Sequence, residues 1–180
     1  MSEELMPFNL NVNGKAIETA LVPASLNMIE FLHEYLNLTG SRLGCGQGLC
    51  QACTVIVDNP DGSSTESITC LVPAIAFNGK SIRTIEGHGK RDAKGQLTAI
   101  SPVQQAFLEN YSFQCGYCTP GFVNAATVLI ESLQKHPIPK SHVEKTVMES
   151  LNGHICRCTG YVQYYRAIKE LILKTPGLTV

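Results

Sequence analysis

From Phe8 to Val12 apolar and polar residues alternate, and the alternation breaks at Asn13-Gly14, a pair suited to a two-residue hairpin turn. Ala16 to Val22 supplies the returning strand. After Pro23 the period lengthens: Leu26, Ile29, Leu32 and Leu36, with Phe31 beside them, recur at helical spacing behind Ser25, which reads as the N-cap. Thr54 to Val57 is β-branched throughout, Asn59-Pro60-Asp61-Gly62 is turn chemistry, and Ser81 to Ile85 alternates again as a last strand. The first half is therefore expected to be α+β. Glu86 to Gly95 is polar and glycine-rich with nothing to bury, as in a linker. Beyond it the pattern is helical. Ser101-Pro102 opens a helix in which Val103, Ala106, Phe107 and Tyr111 share a face, and further helices are expected over 120–134, 141–151 and 162–173. Short connections between them predict an all-α four-helix bundle. The chain thus divides into a first domain over 1–86, a linker over 87–99 and a helical domain over 100–180.

Two domains cut from 180 residues are each small enough that burial alone leaves them marginal, and a bound metal would add to their stability. Lys plus Arg (14) nearly balances Asp plus Glu (15) and no basic block occurs, which excludes the electrostatic footprint of a nucleic-acid binder and leaves proteins or cofactors as partners. Met1 to Leu10 lacks the charged start and apolar core of a signal peptide, and no run approaches the roughly 18 apolar residues of a membrane span. A cytoplasmic chain is expected, with export beside a signal-bearing partner left open. The eight cysteines make up about 4% of the chain, below the roughly 8–10% of disulfide scaffolds. Without an export signal, such cysteines read as metal ligands.

Cys45, Cys50 and Cys53 are spaced C-x4-C-x2-C, with Cys70 following a hairpin later, the spacing of plant-type 2Fe-2S ligation. A compact anionic cluster needs several thiolates from one loop and backbone amides aimed at the sulfurs. Gly44, Gly46 and Gly48 interleave with the ligands and allow that close approach. The second set is Cys115 and Cys118 just before a helix, then Cys156 and Cys158 between two helices. Pro120, Gly153 and Gly160 mark the turns that bring the four to one end of the bundle, where helix-terminal amides and Arg157 would offset negative charge. A four-cysteine zinc site is the alternative for either set. Zinc pairs come as two C-x2-4-C halves without a third clustered cysteine, which favours iron for the first set. For the second set iron, zinc and a redox C-x-x-C all remain open on spacing alone.

Gly44-Cys45-Gly46-Gln47-Gly48-Leu49-Cys50-Gln51-Ala52-Cys53, Gln114-Cys115-Gly116-Tyr117-Cys118-Thr119-Pro120-Gly121 and Cys156-Arg157-Cys158-Thr159-Gly160-Tyr161 together closely resemble the iron-sulfur subunit of the xanthine oxidase family of molybdenum hydroxylases. The resemblance covers nearly the whole chain. It implies a β-grasp, plant-type ferredoxin-like domain followed by a helical bundle, each with one 2Fe-2S cluster, and so assigns iron to the second set as well. It further implies a partner subunit that holds a molybdopterin and hydroxylates an aldehyde or N-heterocycle. Electrons are then expected to pass to the bundle cluster on Cys115, Cys118, Cys156 and Cys158, next to the cluster on Cys45, Cys50, Cys53 and Cys70, and finally to an FAD or cytochrome partner. By the same resemblance Gln114 contacts the pterin and Cys158 lies beside it.

His33, His88, His136, His142 and His154 lack ligand spacing and read as surface or hydrogen-bonding residues, with His154 close enough to the C-x-C loop to tune a cluster. Tyr161, Tyr164 and Tyr165 read as helix packing. Every cysteine is used as a ligand, so none is left as a nucleophile and no catalytic residue is expected in this chain. Two functions from different classes follow: a redox subunit of an enzyme, or a structural zinc-binding adaptor.

Overall fold

The computed structural model describes residues 5–180; the predicted first domain therefore has residues 1–4 outside the described residues. β1 (Leu5–Val12) and β2 (Lys15–Pro23) are joined at Asn13 and Gly14, whose φ values of 53° and 80° are those of the tight turn the sequence predicts. β1 also pairs in parallel with β5 (Ser81–Arg83), and β5 pairs antiparallel with β3 (Thr54–Asp58), which pairs with β4 (Ser64–Ile68). The result is a mixed five-stranded sheet in the order β2-β1-β5-β3-β4. Phe8, Leu10 and Val12, alternate residues of β1, point to one side and are buried with Val55, Ile82 and the helix residues Met28, Phe31 and Leu32. The Phe8 and Phe31 rings meet edge to face at 4.9 Å.

The helix on this face, α1 (Met28–Glu30), continues as π-helical turns through Tyr35. It starts later than predicted because the chain before it is drawn into a bridge with residues 72–74. Met28 donates to the Val72 carbonyl at 2.9 Å and Ala74 to that of Leu26 at 2.7 Å. Asn27, not Ser25, is the cap, its amide donating to the Glu30 carboxylate at 3.2 Å. β5 likewise ends before Ile85: the Thr84 amide is taken by Asn13 Oδ1 at 2.8 Å, and a 3-10 turn follows over Ile85–Gly87. The polar stretch after it forms a small exposed hairpin of β6 (Lys90–Arg91) and β7 (Leu97–Ala99).

Four helices follow: α2 (Pro102–Glu109), α3 (Thr119–Lys135), α4 (Val143–Leu151) and α5 (Val162–Lys174). Ser101 caps α2 as predicted, accepting the Gln104 amide at 3.2 Å while Gln104 Oε1 accepts the Ser101 amide at 2.9 Å. Tyr111 does not join the α2 face. The helix closes at Asn110, whose side-chain amide donates to the Ala106 carbonyl at 3.1 Å, and Tyr111 turns out at φ 50° with 86% of its surface exposed. Phe107, Phe122 and Tyr164 centre the second core, Phe122 and Tyr164 stacked at 4.1 Å and Phe107 edge-on to Tyr164 at 4.9 Å. The tail beyond α5 folds back: Leu178 is buried, and Val180 donates to the Ile138 carbonyl at 3.0 Å. Among the described residues no helix is long and apolar enough to cross a membrane.

The long helix α3 lies against β3 and β4 and ties the two cores together. Buried Asn124 donates to the Thr54 carbonyl at 2.6 Å and its Oδ1 accepts from His88 Nε2 at 2.6 Å. Arg83 bridges Asp58 on β3 and Glu131 on α3, at 2.8 and 2.7 Å.

Candidate metal centres

The first set is built on the irregular chain between α1 and β3, closed by Cys70 just after β4. Gly46 and Gly48 sit at φ 65° and 71°, turns that a side chain resists, and curl the backbone around Cys45. The amides of Gln47 and Cys50 point at Cys45 Sγ, at 3.3 and 3.5 Å. Those donors, the Cys50 amide foremost, hold the Cys45 thiol down to about 6. Burial pushes Cys70 up to about 11 and raises Cys50 as well. Cys45 and Cys50 are in side-chain hydrogen-bonding contact, as are Cys53 and Cys70, while the two pairs sense each other through charge. Cys53 and Cys70 are buried with Ile29.

The second set joins distant segments. Cys118 is the N-cap of α3, Cys115 precedes it, and Cys156 and Cys158 lie between α4 and α5. Cys158 Sγ is 3.7 Å from Cys115 Sγ, and Cys118 contacts Cys156. Burial pushes the Cys118 thiol up to about 12, with the Tyr164 hydroxyl 3.6 Å away opposing the rise. Burial acts in the same upward sense on Cys156, but the Thr159 hydroxyl at 3.0 Å and nearby amides outweigh it and leave that thiol below its ordinary value.

Each set therefore consists of two pairs. A zinc site requires four donors converging on one atom. A 2Fe-2S core has two irons with two protein ligands each, and two pairs of sulfurs fit it.

The two sets are in contact through their loops. The Ile155 amide, next to Cys156, donates to the Cys50 carbonyl at 3.1 Å, and the Tyr117 hydroxyl donates to the Leu43 carbonyl at 2.9 Å. His154 is buried at this junction against the Phe122 ring, its Nε2 3.1 Å from the Glu66 carboxylate. His88 and His154 thus join the hydrogen-bonding class, together with His33, whose Nε2 meets the Ser41 carbonyl at 2.7 Å; His136 and His142 are exposed. Cys115, Cys158, Gln114 and Arg157 form an exposed rim on the second set. Sequence reasoning missed the roles of Asn124 and Thr159. Asn124 had a signal, being the polar interruption of the otherwise apolar Phe122 to Ala126 stretch.

Residues 10–74 match the family described as 2Fe-2S iron-sulfur cluster binding domain, and residues 84–169 the family described as [2Fe-2S] binding domain. The chain is 38% identical over 169 residues to the nicotine 6-hydroxylase small subunit of Paenarthrobacter nicotinovorans, covering 94% of this chain and 88% of that one. It is 37% identical over 165 residues to aldehyde oxidase 3 of Mus musculus, covering 89% of this chain but only 11% of the oxidase, so it corresponds to a small part of that relative's length. The crystal structure of quinoline 2-oxidoreductase from Pseudomonas putida 86 contains a chain that superposes with a TM-score of 0.76 at 30% identity, over 97% of this chain and 93% of that one. With two cluster-binding domains in this order and relatives of matching length, the chain belongs to the 2Fe-2S subunits of the xanthine oxidase family of molybdenum hydroxylases.

Proposed function

We propose that this chain is the electron-transfer subunit of such a hydroxylase, itself without catalytic residues, linking a molybdopterin centre on a large partner subunit to an FAD-binding or cytochrome partner. The observation that carries the reading is the arrangement of eight cysteines as two sets of two pairs, with the Ile155 to Cys50 hydrogen bond joining the loops. Cys45, Cys50, Cys53 and Cys70 hold one 2Fe-2S cluster, and Cys115, Cys118, Cys156 and Cys158 the other. When bound, each cluster accepts and releases a single electron. The chain's own residues bring the sulfurs together, aim the Gln47 and Cys50 amides and the Thr159 and Tyr164 hydroxyls at them, and keep Cys53, Cys70 and Cys156 from water.

The exposed rim of the second set, with Gln114 and Cys158, faces the pterin-bearing partner, and the first set faces the acceptor. The reading divides the chain into a ferredoxin-like domain over 1–86, a connector over 87–99 and a four-helix bundle over 100–180, supported by the two separate buried clusters on either side of β6 and β7. The test is metal analysis of the purified chain. About four irons and about four acid-labile sulfides per chain, with two distinct EPR signals on reduction, are expected. Stoichiometric zinc without sulfide would establish the zinc-binding adaptor instead. Gln114→Ala should keep both EPR signals while slowing reduction by substrate in the assembled enzyme; loss of the second signal would make Gln114 a structural residue.

A further inference from the structure

Gln51, between the ligands Cys50 and Cys53, has a left-handed backbone with φ 56°, a conformation in which glycine is the unstrained occupant. Across the junction it meets two glycines of the helical half. A Cβ at Gly121, in the first turn of α3, would collide with the Gln51 carbonyl oxygen. A Cβ at Gly153, after α4, would collide with the Gln51 side-chain amide, with Cδ and Oε1 at 3.0 and 3.1 Å. One residue of the first cysteine loop thus presses its backbone onto the helix that begins at Cys118 and its side chain into the chain leading to Cys156. The neighbouring Ile155 to Cys50 hydrogen bond lies in the same seam.

We propose that Gln51 is a positioning residue that fixes the spacing of the two cysteine loops, its carbonyl seated on Gly121 and its side chain held in the notch at Gly153. The inference rests on the two-cluster reading above. The side chain's hold on the Gly153 notch is what the residue supplies in return for its strained backbone, which glycine would relax. The direct links between the two loops are the Ile155 to Cys50 and Tyr117 to Leu43 hydrogen bonds, and the seating of Gln51 adds close packing beside them.

Two readouts test this on the holoprotein: the magnetic splitting between the two reduced clusters, which falls steeply with their separation, and hydrogen exchange at the Ile155 amide. Gln51→Gly should retain iron, sulfide and both EPR signals, yet show a reduced or smeared splitting and roughly tenfold faster exchange at Ile155. Gly153→Ala should do the same by pushing the Gln51 amide out of its notch. In the Gln51→Gly background it should add nothing, because the group it strikes has gone. Gly121→Ala should disturb both readouts in either background, since the carbonyl remains. Unchanged splitting and exchange in Gln51→Gly, or a Gly153→Ala effect that persists beside it, overturns the proposal. Should Gln51→Gly lose the first cluster, Gly153→Ala, which leaves the ligand loop intact, decides by the same readouts. Wild-type protein without two reduced-cluster signals would instead defeat the two-cluster reading, and Ile155 exchange in the metal-free chain then decides the seating of Gln51 by itself.

Discussion

Three of the four cysteines of the first set come from one glycine-rich loop, whereas the second set is assembled from two segments separated by the whole of α3 and α4. The first loop orders its own sulfurs, through the turns at Gly46 and Gly48 and the amides aimed at Cys45. The second also has amides aimed at one sulfur, that of Cys156, but no single loop that gathers its four ligands. Its pairs meet because α3 and α5 pack through Phe122 and Tyr164, and because Thr159 reaches back to Cys156. One centre is a property of a loop and the other of a core, and the two should respond differently to damage.

The largest separation of the two is expected from ligand replacement. Cys156→Ser should remove about half of the iron, the share of one cluster in two, and abolish one EPR signal while the other keeps its line shape. Cys50→Ser should do the converse. In the assembled enzyme Cys156→Ser should leave the remaining cluster oxidised when substrate is added, while Cys50→Ser should leave the second cluster reducible and stop transfer to the acceptor. The opposite pattern would reverse the order of the two centres.

Next comes Tyr164, which is fully buried, stacks on Phe122 and places its hydroxyl 2.8 Å from Thr119 Oγ1 and 3.6 Å from Cys118 Sγ. Tyr164→Ala should cost about 3–5 kcal/mol and take the second cluster with it. Tyr164→Phe should cost about 1 kcal/mol and shift only the second cluster's potential downward, because a polar neighbour of its sulfur is lost. Potentiometric EPR reads both centres in one sample. A matching shift of the first cluster would mean that the centres are not built independently.

How much was legible in advance follows from the same contrast. The first set was readable because its chemistry is written in adjacent residues, and so were the Asn13-Gly14 hairpin and the Ser101 to Gln104 capping box. That the second set meets at one end of the helices was expected from the turns at Pro120, Gly153 and Gly160, but iron was assigned to it only through the resemblance to a family, since C-x2-C and C-x-C spacings do not name the metal. The errors at Ser25 and Ile85 share a cause in distant chain, whereas that at Tyr111 was local, the Asn110 side chain closing the helix. Ser25 lost the cap to Asn27 because residues 72–74, far along the chain, hold the backbone there. The seating of Gln51 depends on glycines in another part of the fold, and no local pattern announces it.

A smaller effect is expected at the Arg83 bridge, which joins the two halves. Burial would raise the Glu131 carboxyl, but hydrogen bonds from Arg83 and Ser64 outweigh it and hold it below its ordinary value. A depressed carboxylate stabilises the fold above its unfolded value, near about 4.3, and that contribution is lost as pH falls through the folded value. Both partners are partly exposed, so solvent screening limits the bridge to about 1 kcal/mol. Glu131→Gln should lower the neutral-pH stability by that amount and flatten the acid side of a melting-temperature profile. An unchanged acid limb would show that the bridge does not hold the halves together.

The finest distinction lies in thiol reactivity of the metal-free chain, where stability is untouched. The Cys50 and Gln47 amides hold Cys45 down to about 6, so at pH 7 its thiolate predominates, and its side chain is half-exposed. Cys156 is also lowered, but only 5% of its surface is exposed, which shields it from reagent. Cys158 is exposed, yet the neighbouring Cys115 thiol raises it, and burial pushes Cys70 and Cys118 up to about 11 and about 12. Brief treatment with iodoacetamide at pH 7 should therefore label Cys45 first, well ahead of Cys70 and Cys118, and its labelling should slow as pH falls below about 6 while the preference narrows only as pH is raised toward about 11. Denaturant should erase the ranking, because it depends on amides fixed by the turns at Gly46 and Gly48. Peptide mass spectrometry reads the order. Labelling of Cys158 ahead of Cys45 would mean that exposure, and not the local amide field, governs reactivity, and the amides aimed at Cys45 would then not set its chemistry.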